Sequence, residues 1–198
     1  MSINKQEFGL NPNFSIKDNS QTGGEIDFPT VEAAEEVFQT LVKAKQEAVI
    51  DRMTGCYNRS YFEIFKDEHF NPDRGQVGLV FMDLNNLKTT NDEKGHKAGD
   101  ALIKETARLL KANFRRDDIP IRHGGDEFVV ICRDYTGKED FENELISTVK
   151  EKFSESPVDL AIGVAVYDKR IDTSLDDTLK RADQRMYEDK RSQKENKQ

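Results

Sequence analysis

Between two runs of strand-forming residues the sequence places Arg122-His123-Gly124-Gly125-Asp126-Glu127-Phe128. Ile119-Pro120-Ile121 stands before it, and Val129-Val130-Ile131-Cys132 follows. A Gly-Gly pair between β-patterned runs reads as a hairpin turn, because glycine accepts the φ > 0 positions that tight turns need. Such a hairpin fixes two antiparallel neighbours and projects Asp126 and Glu127 at the edge of a sheet. Adjacent acids on nearly bare backbone suit a hard cation, and the glycines let a phosphate or nucleotide come close. Turns favour Gly and Asp in any case, so the same residues also suit a solvated hairpin.

The rest of the chain supplies partners for that hairpin. Val77 to Met82 is a short apolar run, as expected of a buried central strand, and it ends in Asp83. A carboxylate there is either a metal ligand or the N-cap of the next helix. Ile103, Ala107, Leu110 and Phe114 share one face of a helix over 101–114, and Leu145 and Val149 mark another over 141–153. Val158, Leu160, Ile162, Val164 and Val166 alternate with Asp159, Ala161, Gly163 and Ala165, the pattern of a strand with one well-filled face. Leu175, Leu179, Ala182 and Met186 carry a last helix, polar from Lys190 onward. Strands over 76–83 and 127–133 flank the two acids Asp83 and Asp126, so an α+β fold with a mainly antiparallel central sheet flanked by helices is the economical answer.

Upstream, residues 1–30 are polar and turn-rich and read as a mobile tail, too short for a sensor domain. Val31, Ala34, Phe38, Leu41, Lys45 and Ala48 then recur at spacings of three and four, with Thr30 as N-cap. This predicts a stalk helix over 31–50, which either pairs with a second copy or packs on its own domain. Residues 51–198 form the remaining domain.

Composition removes several classes of function. The formal net charge of −8 argues against a nucleic-acid coat, which needs a basic face. Cys56 and Cys132 are too few for a disulfide scaffold. No apolar run approaches the ~20 residues of a membrane span, and Met-Ser-Ile-Asn-Lys-Gln lacks the apolar core of a signal peptide, so a cytoplasmic protein is expected.

Taken together, these motifs resemble the GGDEF family, the diguanylate cyclases, over residues 51–194. Asp51-Arg52-Met53-Thr54-Gly55-Cys56-Tyr57-Asn58-Arg59 is similar to the family's Asp-x-Leu-Thr-Gly-Leu-x-Asn-Arg opening. Asn91-Asp92-Glu93-Lys94-Gly95-His96-Lys97-Ala98-Gly99-Asp100 resembles its Asn-Asp-x-x-Gly-His-x-x-Gly-Asp run. Asp83-Leu84-Asn85-Asn86-Leu87-Lys88 resembles Asp-x-Asp-x-Phe-Lys, with Asn85 and Leu87 as departures. Ala182-Asp183-Gln184-Arg185-Met186-Tyr187-Glu188-Asp189-Lys190 resembles the closing Ala-Asp-x-Ala-Leu-Tyr-x-Ala-Lys. Gln193 and Lys194 stand beyond it where the family has Gly and Arg.

The resemblance implies a ferredoxin-like nucleotidyl-cyclase palm that condenses two GTP into cyclic di-GMP. Such a reaction needs a 3′-hydroxyl to attack an α-phosphate, and two divalent ions, Mg²⁺ or Mn²⁺, stabilise the attacking and leaving oxygens. The resemblance makes Asp83, the Leu84 carbonyl, Asp126 and Glu127 the metal ligands and Asp126 also the proton acceptor. It makes Lys88 catalytic, as a partner of the phosphate and the transition state, and puts Lys190 and Lys194 on phosphates, His96 on substrate, and Asn91 and Asp100 on guanine, whose N1 and 2-amino protons a carboxylate accepts together. Gly124 and Gly125 let the nucleotide approach. On their own residues, His96 also suits a structural role and Lys190 and Lys194 a solvated tail. Arg115 and Asp118 match the family's Arg-x-x-Asp product-inhibition site, though Arg115-Arg116-Asp117-Asp118 also suits a plain charged turn. Turnover then requires a homodimer, held weakly by a seam that contains Lys45. The alternative is a domain that binds cyclic di-GMP or GTP as a sensor without turnover.

Overall fold

The computed structural model describes residues 31–73, 77–133, 141–154 and 156–196; the expected tail over 1–30 and its Thr30 cap lie outside them. The chain divides into two compact units, Met1–Val49 and Ile50–Gln198. The first carries helix α1 (Val31–Val49), on which Leu41 is 63% exposed. No helix among the described residues is long and apolar enough to cross a membrane.

The second unit runs β1 (Tyr57–Asn58), α2 (Arg59–Ile64) continued by a π-helical turn Phe65–His69, β2 (Val77–Leu84), α3 (Leu87–Lys94), α4 (His96–Asn113), β3 (Ile119–Arg122), β4 (Glu127–Arg133), α5 (Phe141–Phe153), β5 (Leu160–Val166) and α6 (Leu175–Glu195). Its five-stranded sheet has the order β1-β3-β4-β2-β5. All pairings are antiparallel except β1 with β3. Every residue of β2 is buried, as befits a central strand covered on both faces.

Two apolar layers sandwich the sheet. On one face Ile103, Ala107 and Leu110 of α4 and Leu145 and Val149 of α5 pack on Val80, Met82, Phe128, Val130 and Ile162. On the other, Phe62 and Phe65, with Leu175, Ala182 and Met186 of α6, pack on Leu79, Phe81, Val129, Ile131, Ala161 and Ala165. Local signals start the helices: Asn58 accepts from the Ser60 N–H, and Ser174 accepts from the Asp176 N–H.

Three expectations need correction. The hairpin forms, yet neither Gly124 nor Gly125 uses left-handed backbone; Gly55 and Gly95 are the described glycines with positive φ. At Gly124 a Cβ would lie 2.5 Å from Oε2 of Glu127, so a side chain there would have to move the end of that flexible carboxylate aside. Secondly, β5 is filled on both faces. A Cβ on Gly163 would meet the Ala182 carbonyl at 2.0 Å, so the small residues of β5 admit the α6 backbone itself. Thirdly, the helix expected from 101 begins at His96, because Gly95 at φ 83° turns the chain directly out of α3.

Candidate active site

The β2–β4 register sets Asp83 opposite Glu127. Beyond the last pair the Leu84 N–H donates to the Asp126 carbonyl at 3.0 Å, and the Asn85 N–H donates to the Asp159 carbonyl at 2.9 Å. Two segments far apart in sequence are thereby joined at their backbones, which brings Asp83, Leu84, Asp126 and Glu127 to one end of the sheet. Asp83 is 8% exposed; Asp126 and Glu127 are half-buried.

The glycine turn is held from both sides. His123 and Gly124 donate their N–H groups to the Glu127 carbonyl at 2.9 and 3.2 Å. Arg122 folds over the tip: its Nη2 donates to the Gly125 carbonyl at 2.8 Å, and its Nη1 reaches Asp51 Oδ2 at 3.3 Å. Asp51 in turn accepts the Thr54 N–H at 2.9 Å and the Thr54 hydroxyl at 2.6 Å. Burial alone would raise the Asp51 carboxyl, but the Thr54 hydrogen bonds and the Arg122 guanidinium outweigh it and leave it below the usual range. Gly125 has nothing within 4 Å of the place a Cβ would take, so the tip is open to an approaching ligand. Sequence reasoning gave Arg122 no role, because its partner Asp51 lies 71 residues away in the chain.

Charge at this end is unbalanced. Burial pushes the Glu127 carboxyl up, and Asp126, Asp83 and Asp183 add to the rise, against a smaller opposing effect of Lys190. Asp183, on α6, is a further acid that sequence reasoning quoted without using. Lys190 places its Nζ 2.5 Å from Asp83 Oδ1. It therefore sits on the acid here, not out on the surface as a frayed tail residue would. Lys194, in the last turn of α6, is exposed.

A hard divalent cation fits these residues. The donors are carboxylate and carbonyl oxygens, and an ammonium already stands where positive charge is wanted. Among the described residues no three His, Cys, Asp or Glu side chains converge as a ready-made cage. Mg²⁺ does not need one, because it commonly takes one or two carboxylates and completes its shell with water and phosphate oxygens.

A second cluster forms on the α3–α4 hairpin. Gly95 makes the turn, donating its N–H to the Asn91 carbonyl at 2.9 Å. A Cβ on Gly99 would lie 2.0 Å from Asn91 Oδ1, so Gly99 lets the Asn91 side chain rest against α4 beside Asp100. His96 is exposed at the first residue of α4, and Lys88 is exposed in the first turn of α3. Just before that turn Asn86 adopts φ 61°, the only non-glycine among the described residues with positive φ, and it gives α3 no side-chain cap. Strained backbone of this kind concentrates at functional sites.

Arg115 and Asp118 form a separate turn after α4. Asp118 is buried and accepts the Arg115 N–H at 2.9 Å, while its own N–H donates to the Arg115 carbonyl at 3.1 Å. Asp118 thus shapes the turn that presents the exposed Arg115.

Residues 48–196 match the family model described as diguanylate cyclase, GGDEF domain. The diguanylate cyclase DgcS of Shewanella oneidensis is 38% identical over 106 residues, covering 49% of this chain and 36% of that protein. The probable diguanylate cyclase DgcJ of Escherichia coli (strain K12) is 28% identical over 160 residues, covering 78% and 32%. The chain thus spans about a third of the length of these relatives. Among solved structures, a sensory box/GGDEF family protein from Caulobacter crescentus CB15 superposes with TM-score 0.65 at 26% identity, covering 73% of this chain and 99% of that one.

Proposed function

The chain belongs to the GGDEF, diguanylate cyclase family, and from that premise we propose that it condenses two GTP molecules into cyclic di-GMP with release of two pyrophosphates. The observation that carries the reading is the Leu84 N–H to Asp126 carbonyl bond at 3.0 Å, which joins the two acid-bearing segments beside an open glycine tip. Relatives named as diguanylate cyclases support it.

In this reading Asn91 and Asp100 select guanine. The Asp100 carboxylate accepts the N1 and 2-amino protons, a pair that adenine cannot offer. His96 contacts substrate at the start of α4. Lys88, Lys190 and Lys194 draw the phosphates, Lys194 as a point charge in place of a bidentate Arg fork. Gly124 and Gly125 admit the nucleotide against bare backbone. Asp126 accepts the proton of the attacking 3′-hydroxyl. Mg²⁺ or Mn²⁺, two per site, would be held by Asp83, the Leu84 carbonyl, Asp126 and Glu127, and would stabilise charge on the attacking and leaving oxygens.

Each domain holds one GTP, so two chains must face each other, and the protein works as a weak homodimer that α1 helps to assemble. Arg115 and Asp118 bind cyclic di-GMP as an inhibitor away from the reacting atoms, with Arg115 suited to a phosphate or the guanine Hoogsteen edge. The test is incubation of the purified chain with GTP and Mg²⁺, followed by chromatography for a cyclic dinucleotide and pyrophosphate. The reading expects both products and a rate that falls when cyclic di-GMP is added. Stable GTP binding with neither product would identify a sensor domain instead.

A further inference from the structure

Asn85 and Gln193, which the proposed mechanism leaves without a role, bond to each other at the edge of the site. Asn85 follows Asp83 and Leu84, and Gln193 lies nearly one turn past Lys190 on α6. Asn85 Nδ2 donates to Gln193 Oε1 at 2.7 Å and to Asp159 Oδ1 at 3.2 Å. Gln193 Nε2 donates to the Leu160 carbonyl at 3.0 Å and to Asp189 Oδ2 at 2.9 Å. Asp189 Oδ2 also accepts the Ile162 N–H at 2.9 Å.

One face of α6 therefore grips two segments at once. Asp189 and Gln193 hold it to the start of β5, and Gln193 also reaches the chain just beyond β2. Lys190 lies between those two grips and extends to Asp83. Asn85 and Gln193 are also two of the positions at which the sequence departs from the family's Asp and Gly. The departures suit each other: glycine at 193 would have no side chain to reach residue 85, and aspartate at 85 would turn a carboxylate towards Gln193 Oε1 and Asp159.

We infer that Asn85 and Gln193 are a positioning pair, which fixes the last turns of α6 against the Asp83–Leu84–Asn85 segment and so places the Lys190 ammonium for the substrate phosphates. This rests on the cyclase reading, which assigns Lys190 to phosphate. The pair acts through Lys190, so its loss has no consequence for phosphate once that lysine is gone.

The test is calorimetric titration of the full chain with the α,β-methylene analogue of GTP in Mg²⁺, with product formation from GTP measured separately. Gln193→Ala and Asn85→Ala should each weaken analogue binding about five- to tenfold, and the double variant no more than the worse single, as coupled neighbours do. Lys190→Ala should weaken it comparably, and adding Gln193→Ala to it should change nothing further. Unchanged affinity in Gln193→Ala, multiplied losses in the Asn85/Gln193 double variant, or a further loss in the Lys190→Ala background would overturn the pair; the last would show that Gln193 merely packs the helix. A wild type that binds no analogue would overturn the cyclase reading and the pair with it. Analogue binding with the expected coupling but no product would overturn the cyclase reading alone.

Discussion

The ammonium nitrogen of Lys190 stands 2.5 Å from Oδ1 of Asp83, an ion pair closed across 107 residues of chain. Both side chains are partly shielded, with 29% and 12% of their surface exposed. The pair gives the buried acid a cation of its own. If Asp83 also serves as a metal ligand, lysine and metal compete for one carboxylate, and metal binding frees Lys190 for phosphate.

Lys190→Ala should therefore tighten Mn²⁺ binding by the nucleotide-free protein while weakening nucleotide binding. A partly exposed pair is worth up to about 1 kcal/mol, so the gain should be about two- to fivefold. Electron paramagnetic resonance of free Mn²⁺ during a titration measures it. Unchanged or weaker Mn²⁺ binding would remove the competition.

Glu127 gives a pH dependence with a definite sign. Burial, then Asp126, Asp83 and Asp183, raise its folded pKa above the reference 4.5. A raised folded pKa means stability that is present below the unfolded value and lost as pH rises through the folded one. At neutral pH the ionised carboxylate therefore destabilises the metal-free fold, and Glu127→Gln should raise stability by under about 1 kcal/mol because the group is half-exposed. Thermal melts with a chelator should show that gain at pH 7 and none below pH 4. A loss of stability at pH 7 would contradict the electrostatics.

The two glycines of the turn should respond differently to alanine. At Gly124 the new Cβ must displace the Glu127 carboxylate, 2.5 Å away, whereas at Gly125 it enters open space. Gly125→Ala should change stability by under about 0.5 kcal/mol, as surface substitutions usually do, yet weaken nucleotide binding if that space is where substrate lies. Calorimetric affinities alongside melting curves separate the two effects; unchanged affinity would leave the open tip unused.

Much of this was legible in the sequence because it depends on short-range pattern. The Gly-Gly hairpin follows from turn residues between two β-patterned runs, β2 from a short apolar run, and the helix faces of α4 to α6 from periodicity, each within one segment. What was not legible depends on which segments meet. Nothing local says that the Gly163 stripe of β5 takes the α6 backbone, that Arg122 reaches Asp51, or that Lys190 crosses to Asp83. The glycine turn shows the same limit: glycine at 124 was read as a backbone conformation, but its φ is not positive, and what lies closest to it is the Glu127 side chain folded back over it. Asp118, read either as a ligand or as part of a charged turn, does shape a turn, but from a buried position rather than on its surface.

Asp100 should govern the choice of base. It follows Gly99, which lets Asn91 pack against α4 beside it. Asp100→Ser removes the carboxylate that would accept two guanine protons, and should reduce preference for GTP over ATP by about 1–3 kcal/mol through loss of charge-assisted hydrogen bonds. Competition between the two nucleotides in a binding titration measures it, and an unchanged ratio would place Asp100 outside the base pocket.

The central claim is that Asp126 is chemical and its backbone structural. Its carbonyl accepts the Leu84 N–H at 3.0 Å, a contact that alanine keeps, while its half-buried carboxylate is the group assigned to the 3′-hydroxyl. The decisive measurement is conversion of labelled GTP to cyclic di-GMP by wild type and Asp126→Ala at equal concentration, with melting curves of both. The account predicts product from wild type, none above background from the variant, and stabilities within about 1 kcal/mol. Equal synthesis by the folded variant, or none by the folded wild type, would contradict it.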